Sequence, residues 1–287
     1  MILVTGASGK TGRAILRALT TRRLAVRAFV RRAEQAEPLQ AMGVNQVVTG
    51  DIGDASALTG ATRGIRALYH ICPNVHPDEV SIGQAVINAA RESGLEHFVY
   101  HSVLHPQTQS MPHHWNKLRV EDLLFESGLR YTIVQPAPYM QNVLTEWTSI
   151  IEQGVYRVPY SIDAPFSLVD LLDVAQAAAA ILFDSSHIGA TYELAGPEVL
   201  TPAQIAATLS QVLQQPVRAE QTDLDSWRER ARASGMTAFG VDTLTRMFGY
   251  YDRFGLWGNS RVLAGLLGRS PNRLAAFAQR ISRGQEP

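Results

Sequence analysis

The amino-acid sequence predicts an α/β protein in which a doubly wound parallel sheet is followed by a smaller C-terminal α/β lobe. The first half of the chain alternates short apolar, β-rich runs with stretches of helical spacing. That alternation is typical of parallel strands joined by right-handed helical crossovers. After about residue 154 it loosens into helices separated by short strands, which predicts the second lobe.

Apolar runs predict the strands of the main sheet at residues 2–5, 24–30, 46–49, 67–71, 97–103 and 131–134. Stretches of helical period between them predict helices at residues 11–21, 33–42, 55–61, 77–93 and 116–127. Gly43, Gly94 and Gly128 each follow such a stretch, where a left-handed residue ends a helix. Further on, helices are predicted at residues 170–183, 202–214, 223–233, 241–250 and 272–281. Strands are predicted at residues 155–158, 192–195 and 217–220.

The composition is that of a globular protein, because 46% of the 287 residues are hydrophobic and only 18% are charged. Lys and Arg number 26, as do Asp and Glu, so the net charge gives no support to nucleic-acid or membrane binding. The single cysteine, Cys72, makes no intrachain disulfide, and no secretory signal is recognised. The longest apolar run, from Val174, is far shorter than the ~20 residues that span a bilayer. We therefore expect a cytoplasmic protein, with neither a nucleic acid nor a membrane as its partner.

A glycine-rich loop lies between the first strand and the first helix, in the stretch MILVTGASGKTGRAIL. Gly6 permits a tight turn, Gly9 lets the backbone approach a pyrophosphate, and Gly12 allows close packing of the helix. The phosphates then face the N-terminus of that helix. Strand, loop and helix together predict a Rossmann-like NAD(P)-binding domain. The other loop residues expected to contact the cofactor are Ser8, Lys10 and Thr11.

The end of the second strand predicts which cofactor is bound. An acidic residue there binds the ribose 2′-hydroxyl of NAD, whereas an arginine accommodates the 2′-phosphate of NADP. The chain has Arg31 and Arg32 at this place and no carboxylate, with Lys10 as a further cation. NADP(H) is therefore predicted in preference to NAD(H).

The third and fourth strands add further cofactor contacts at their ends. Asp51 and Ile52 are predicted at the edge of the adenine pocket, and Ile71, Cys72 and Pro73 beside the phosphates or the nicotinamide ribose. Cys72 has no basic neighbour in sequence, so it is interpreted as a small buried apolar residue rather than a nucleophile.

The chain resembles the NmrA-like group of atypical short-chain dehydrogenases/reductases. The resemblance is carried by TGASGKTG at 5–12, VRAFVRR at 26–32, HSVLHPQ at 101–107, the stretch from PHHWNKLRVEDLLF to PAPYMQNV at 112–143, and LLGRSPNRLAAFAQR at 266–280. It implies a dinucleotide-binding domain, a small α/β lobe and a substrate cleft between them. Members of the group include NADPH-dependent reductases of quinones, dyes and phenylpropanoids, and NAD(P)-binding proteins that act as redox sensors. We expect the first domain at 1–153, with later segments completing part of its sheet, and the substrate or lid lobe at 154–287.

The resemblance also indicates candidate catalytic residues. Short-chain dehydrogenases place a proton-donating Tyr four residues before a Lys that binds the nicotinamide ribose. Here Lys117 is present, but His113 stands in place of the Tyr, and Ser102 ends the fifth strand. Imidazole titrates near neutrality, so His113 is one candidate acid. In a second interpretation His113 only begins a helix, and in a third no protein acid is needed because water completes the reaction.

Substrate contacts are predicted from PAPYMQN after the sixth strand, where Pro136 is expected beside the nicotinamide and Tyr139 and Asn142 towards the substrate. The stretch MFGYYDRFGLWG is either an aromatic lid or the core of the small lobe. Its candidate contacts are Tyr250 and Trp257.

No metal site is predicted, since the recurring His97, His101 and His105 lie in a β-rich segment rather than on one helical face. The leading interpretation is an NADP(H)-dependent oxidoreductase that transfers hydride to a planar apolar acceptor such as a quinone, enone or aromatic compound. The alternative is a non-catalytic NAD(P)-binding sensor that acts through a protein partner. An isomerase with a retained cofactor is weaker, because the catalytic Tyr is missing. The sequence does not show whether the protein forms a homodimer or which substrate it uses.

Overall fold

A computed structural model of the chain describes residues 1–285. The strands are β1 Ile2–Val4, β2 Val26–Val30, β3 Gln46–Thr49, β4 Ala67–His70, β5 His97–His101, β6 Tyr131–Pro136, β7 Val155–Val158, β8 Phe166–Ser167, β9 Thr191–Leu194, β10 Val199–Leu200 and β11 Arg218–Gln221. The helices are α1 Lys10–Thr21, α2 Ala36–Ala41, α3 Ala55–Thr62, α4 Glu79–Ser93, α5 Pro112–Phe125, α6 Trp147–Gln153, α7 Leu171–Phe183, α8 Pro202–Leu213, α9 Leu224–Ala233, α10 Ala238–Phe254, α11 Arg261–Leu267 and α12 Leu274–Ser282.

The main sheet has seven strands in the order β3-β2-β1-β4-β5-β6-β9. All pairs from β3 across to β6 are parallel. The strand order reverses between β1 and β4, which is the position where doubly wound sheets bind ligands, beyond the carboxyl ends of the strands. The predicted fold class is confirmed.

The chain divides into two compact units. The first comprises residues 1–107, 114–135 and 174–192, and the second comprises 108–113, 136–173 and 193–287. Beyond the main sheet, β8 pairs antiparallel with β10, and β7 pairs parallel with β11. Each unit combines several separate segments of the chain, whereas the expected domains were the continuous ranges 1–153 and 154–287. The domain boundary at residue 153 stays a prediction.

The core of the first unit lies on the main sheet beneath α3, α4 and α5. Its buried side chains come from all of these elements and include Leu3, Leu58, Leu68, Ile87, Phe98, Tyr100, Leu124 and Ile133. Every residue of β4 and β5 is buried, His70, His97 and His101 among them. Central parallel strands are covered on both faces, so any polar side chain on them needs a partner inside the protein.

The predicted helix ends at Gly43, Gly94 and Gly128 are confirmed, since these residues have φ of 89°, 64° and 74°. Among the strands and α-helices of residues 1–285, the sequence analysis missed α6, α11, β8 and β10. β8 and β10 have two residues each and carry no periodic pattern to detect. Within residues 1–285, every helix is too short or too polar to cross a lipid bilayer.

Candidate dinucleotide-binding and reaction site

Two of the three loop glycines are required by the packing of the protein itself. Gly6 has φ of 60°, and a Cβ there would lie 2.8 Å from the carbonyl oxygen of Ile71. A Cβ on Gly12 would lie 2.3 Å from the carbonyl oxygen of Gly6. Gly6 therefore lets the loop pass close to the end of β4, and Gly12 lets the first turn of α1 sit against the loop.

Gly9 differs, because a Cβ there would be tight against one atom rather than overlapping several. A Cβ on Gly9 would meet only the carbonyl oxygen of Gly6, at 3.3 Å. Gly9 is the N-cap of α1 and has extended backbone geometry; as a glycine it has no side chain to cap the helix, and the first turn has no acidic residue. A helix N-terminus of this kind suits an anion. The arrangement fits the pyrophosphate of a dinucleotide, which a side chain at Gly9 would obstruct.

A glutamine that the sequence analysis missed joins the glycine loop to the end of β2. Gln35 Nε2 donates to Ser8 Oγ at 3.0 Å, and the backbone N–H of Arg32 donates to Gln35 Oε1 at 3.1 Å. The two segments predicted to bind NADP phosphates are thereby held together. Nothing in the local sequence pattern indicates this contact, because Ser8 and Gln35 are 27 residues apart.

The two arginines after β2 differ in their surroundings. Arg32 is exposed and its Nε lies 3.0 Å from Glu34 Oε1. Arg31 is also exposed, and it has no ion pair with any residue in the described part of the chain. A guanidinium that is already paired has less to gain from a phosphate, so Arg31 is the better candidate for the 2′-phosphate. Lys10, the first residue of α1, is exposed as well.

The ends of β3 and β4 place the other predicted cofactor residues. Asp51 is exposed, and its Oδ1 accepts from the N–H of Gly53 at 2.8 Å. Ile52 is half-buried against the core of the first unit. Cys72 is buried and burial raises the pKa of its thiol, as expected for an inert core cysteine. Pro73 is exposed, whereas Ile71 packs against Gly6.

Lys117 of α5 forms a buried ion pair with Glu79, the first residue of α4. Its Nζ lies 2.6 Å from Glu79 Oε1 and 3.5 Å from the backbone carbonyl of His101 at the end of β5. Tyr100 donates its hydroxyl to the same Glu79 oxygen at 3.2 Å. The predicted ribose-binding lysine is thus fixed at the carboxyl end of β5 by a carboxylate that the sequence analysis missed.

Ser102 belongs to a second buried polar cluster. Its hydroxyl donates to Glu121 Oε1, and Gln135 Nε2 lies 3.0 Å from both carboxylate oxygens of Glu121. Burial raises the pKa of Glu121, while the Ser102 and Gln135 hydrogen bonds oppose that rise. Because a hydroxyl has one proton, Ser102 must turn away from Glu121 before it can donate to a substrate carbonyl. The catalytic role expected for Ser102 stays a prediction, and it requires this rotation of the hydroxyl.

The histidines of β4 and β5 are also held inside the protein. Thr5 Oγ1 lies 2.8 Å from His70 Nδ1, and Tyr69 Oη lies 2.7 Å from His101 Nδ1. Burial, followed by the charge on Lys117, lowers the pKa of His70 and of His101 to about 3. Both rings are therefore neutral at physiological pH. Among residues 1–285, no three His, Cys, Asp or Glu side chains are grouped so as to hold a metal.

The remaining candidates belong to the second unit. His113 is buried near the start of α5, four residues before Lys117, and Pro136 is the buried last residue of β6. Tyr139 is half-buried and its backbone forms an isolated parallel β-bridge with Val169, whereas Asn142 is exposed. The roles predicted for these residues remain predictions.

The aromatic stretch in and after α10 contributes to the core of the second unit, and its role as an aromatic lid stays a prediction. Tyr251 is buried against Phe166 and Tyr160, with ring centroids 5.0 and 5.7 Å away, so it belongs to the core of the second unit. Trp257 and Phe254 are 58% and 53% exposed, so they contribute little to that core. Tyr250 lies 4.9 Å from the ring of Phe254. Only the outer aromatics of the stretch are available to a ligand.

The fold and the glycine loop together define a Rossmann-type NAD(P)-binding protein. Comparison with known proteins identifies it more closely: the chain belongs to the NmrA-like family, whose sequence profile matches residues 1–262. This confirms the resemblance seen in the sequence.

Two curated relatives align over nearly their whole length. NAD(P)H azoreductase of Xenophilus azovorans is 31% identical and covers 97% of each chain, and quinone oxidoreductase 2 of Escherichia coli is 30% identical and covers 96% of each. Among solved structures, the E. coli quinone oxidoreductase complexed with NADPH superposes with a TM-score of 0.87 at 28% identity, covering 98% of this chain and 100% of the other. Citrobacter triphenylmethane reductase complexed with NADP(H) shares the fold, with a TM-score of 0.85 at 23% identity over 98% of this chain and 99% of that one.

Proposed function

We propose that this protein is an NADP(H)-dependent oxidoreductase that reduces a planar, apolar acceptor such as a quinone, an enone or an aromatic compound. The observation that carries the proposal is the N-terminus of α1, where the N-cap Gly9 has no side chain, the first turn has no acidic residue, and the packing of the protein accounts for this glycine less fully than for Gly6 and Gly12. The names of the two full-length relatives support the acceptor class, because an azo dye and a quinone are both flat conjugated molecules.

The chain's own residues would hold the cofactor from its adenine end to its ribose. The N-terminus of α1 faces the pyrophosphate, and Arg31 pairs with the 2′-phosphate, which favours NADP over NAD. Lys117 donates to the nicotinamide ribose. When bound, reduced nicotinamide supplies the hydride, and the protein contributes orientation and exclusion of water.

The substrate side is proposed from residues of the second unit. A flat acceptor would contact three aromatic rings and one amide, which belong to Tyr139, Tyr250, Trp257 and Asn142. Pro136 is proposed beside the nicotinamide. Hydride transfer to a quinone leaves an oxyanion, which takes a proton either from His113 or from water.

A panel of acceptors tests the proposal. NADPH oxidation is followed by absorbance with purified protein and quinones, enones, azo dyes and triarylmethane dyes. Saturable, acceptor-dependent oxidation supports the reductase and ranks its substrates. If NADPH binds tightly but no acceptor oxidises it, the non-catalytic sensor is favoured, and the search moves to a protein partner.

His113→Ala separates the two proton sources. If His113 donates the proton, kcat falls by about a hundredfold or more and its pH dependence between about pH 5 and 9 changes. An unchanged pH profile assigns the proton to water. His113→Gln, which keeps a polar side chain of similar length, serves as the matched variant.

A further inference from the structure

The ion pair between Glu79 and Lys117 has a structural origin in the packing of α4 against α5. Gly83 lies four residues after Glu79, and Val120 lies three residues after Lys117, so each pair shares one face of its helix. A Cβ on Gly83 would lie 2.7 Å from both methyl groups of Val120. The glycine therefore allows the two helices to approach closely, and this approach brings the carboxylate to the ammonium group.

The pair is not explained by its contribution to folding. Glu79 is 1% exposed, and its second oxygen, Oε2, is buried without a hydrogen-bond partner among residues 1–285. A buried ion pair contributes little net stability, because desolvation offsets the attraction, and an unsatisfied carboxylate oxygen adds a further cost. An apolar pair of similar volume would serve the core as well or better.

The pair does fix the position of one atom. Lysine has a flexible stem of four methylene groups and a compact charge, so an unpaired Lys117 would sample many rotamers. Glu79 Oε1 at 2.6 Å and the His101 carbonyl at 3.5 Å hold Nζ at the carboxyl end of β5. Tyr100 in turn holds the Glu79 oxygen at 3.2 Å. Dinucleotides bind beyond the carboxyl ends of such strands.

We infer that Glu79 is a positioning residue for the nicotinamide half of the cofactor, acting through Lys117. It pre-sets Nζ for the ribose hydroxyls, so less side-chain entropy is lost when NADPH binds. The inference rests on the proposed cofactor contact of Lys117. It adds a residue on α4 that acts on the cofactor through the lysine.

A double-mutant cycle on NADPH binding, measured by fluorescence titration, tests this route. Glu79→Gln is expected to weaken NADPH binding about tenfold, and Lys117→Met at least as much. The double variant is expected to bind no more weakly than Lys117→Met, since Glu79 has nothing to position once the lysine is gone. Losses that simply add would overturn the inference, as would unchanged binding by Glu79→Gln.

A second ligand separates positioning from general damage. Adenosine 2′,5′-bisphosphate has the adenine end of NADPH but no nicotinamide ribose, so its affinity should be the same in Glu79→Gln and the wild type. Asp173→Asn is the matched control, because it disrupts another buried carboxylate pair, with Arg269 at 2.6 Å, and should leave NADPH affinity unchanged. Equal weakening of both ligands by Glu79→Gln would contradict a positioning role.

The positioning role of Glu79 and the proposed reaction can fail separately, and the results show which of them has failed. If Glu79→Gln does not fold, Glu79→Asp retains the charge with a shorter reach, and it should show a smaller loss confined to NADPH. Should the wild type bind NADPH but reduce no acceptor, the proposed reaction fails while the cycle still decides the role of Glu79. If the wild type binds no NADPH, both are overturned.

Discussion

The three glycines of the loop have different surroundings, and a matched pair of substitutions tests whether Gly9 serves the cofactor and Gly12 the packing of α1. Gly9→Val should reduce the affinity for both NADPH and NADH by at least ~100-fold, and it should lower the melting temperature less than Gly12→Ala does, because a Cβ at Gly9 would meet one atom, at 3.3 Å. Gly12→Ala should instead lower the melting temperature, because its Cβ would lie 2.3 Å from the Gly6 carbonyl oxygen. A large loss of stability in Gly9→Val, with binding intact, would contradict these assignments.

The two arginines after β2 provide a second test at a single residue. Arg31→Ala should weaken NADPH at least ~10-fold more than NADH, because only NADPH carries the 2′-phosphate. Arg32→Ala should have a smaller effect on this ratio, since Arg32 is already paired with Glu34. Titration of both cofactors against both variants measures the ratio. Equal losses of NADPH and NADH in Arg31→Ala would exclude the 2′-phosphate role.

The sequence predicts what a single residue does where its neighbours in the chain explain why that residue type is present. The glycine loop is of this kind, because its position between a strand and a helix explains the glycines; the cofactor roles of the arginines after β2 stay predictions. Glu79, Gln35 and Glu121 were missed because each acts through a partner distant in sequence. Glu79 and Lys117 are 38 residues apart, and only the fold brings them together.

At the scale of elements, the contact between α4 and α5 predicts that the effect of Gly83→Ala on stability depends on the side chain at position 120. Gly83→Ala should lower the free energy of unfolding by about 1–2 kcal/mol, because overpacking against Val120 exceeds the ~1 kcal/mol that alanine gains over glycine in a helix. In a Val120→Ala background the same substitution should be neutral or stabilising. Denaturant unfolding of the four proteins measures both effects. Equal destabilisation in the two backgrounds would show that the methyl groups of Val120 are not the obstacle.

The elements of the main sheet were predictable because parallel strands buried on both faces give continuous apolar runs. β4 and β5 are examples, even with three histidines among their residues. In contrast, α6 follows directly on a 3₁₀ segment at Met140–Glu146, and the two-residue strands β8 and β10 depend on their partners. Such elements are defined by contacts formed after folding rather than by local period.

For the whole molecule, buried histidines predict that stability is lost in mild acid. His70, His97, His101 and His114 are all buried, and burial lowers their pKa values to between about 3 and 4. Below the unfolded value near 6.5, the unfolded chain binds protons that the folded chain does not. Stability is therefore retained above about pH 6.5 and falls as the pH decreases towards about 4.

Each of these histidines should contribute about 1 kcal/mol of loss by pH 5.5. Glu121 and Asp173 act in the opposite direction, because burial raises their pKa values and the folded state takes up their protons first. Denaturant unfolding at several pH values measures the sum. His97→Gln should flatten the pH dependence below about pH 6.5; a profile as steep as that of the wild type would contradict the assignment.

The most direct test of the proposed function is a single turnover in a stopped-flow instrument, with NADPH-loaded protein mixed with a quinone. For a reductase, the absorbance of the reduced nicotinamide should decay at a rate that saturates with quinone concentration. The decay should also be slower when the transferred hydrogen is deuterium. A protein that binds NADPH tightly but leaves its absorbance unchanged with every quinone, enone and dye would contradict the reductase and favour the sensor.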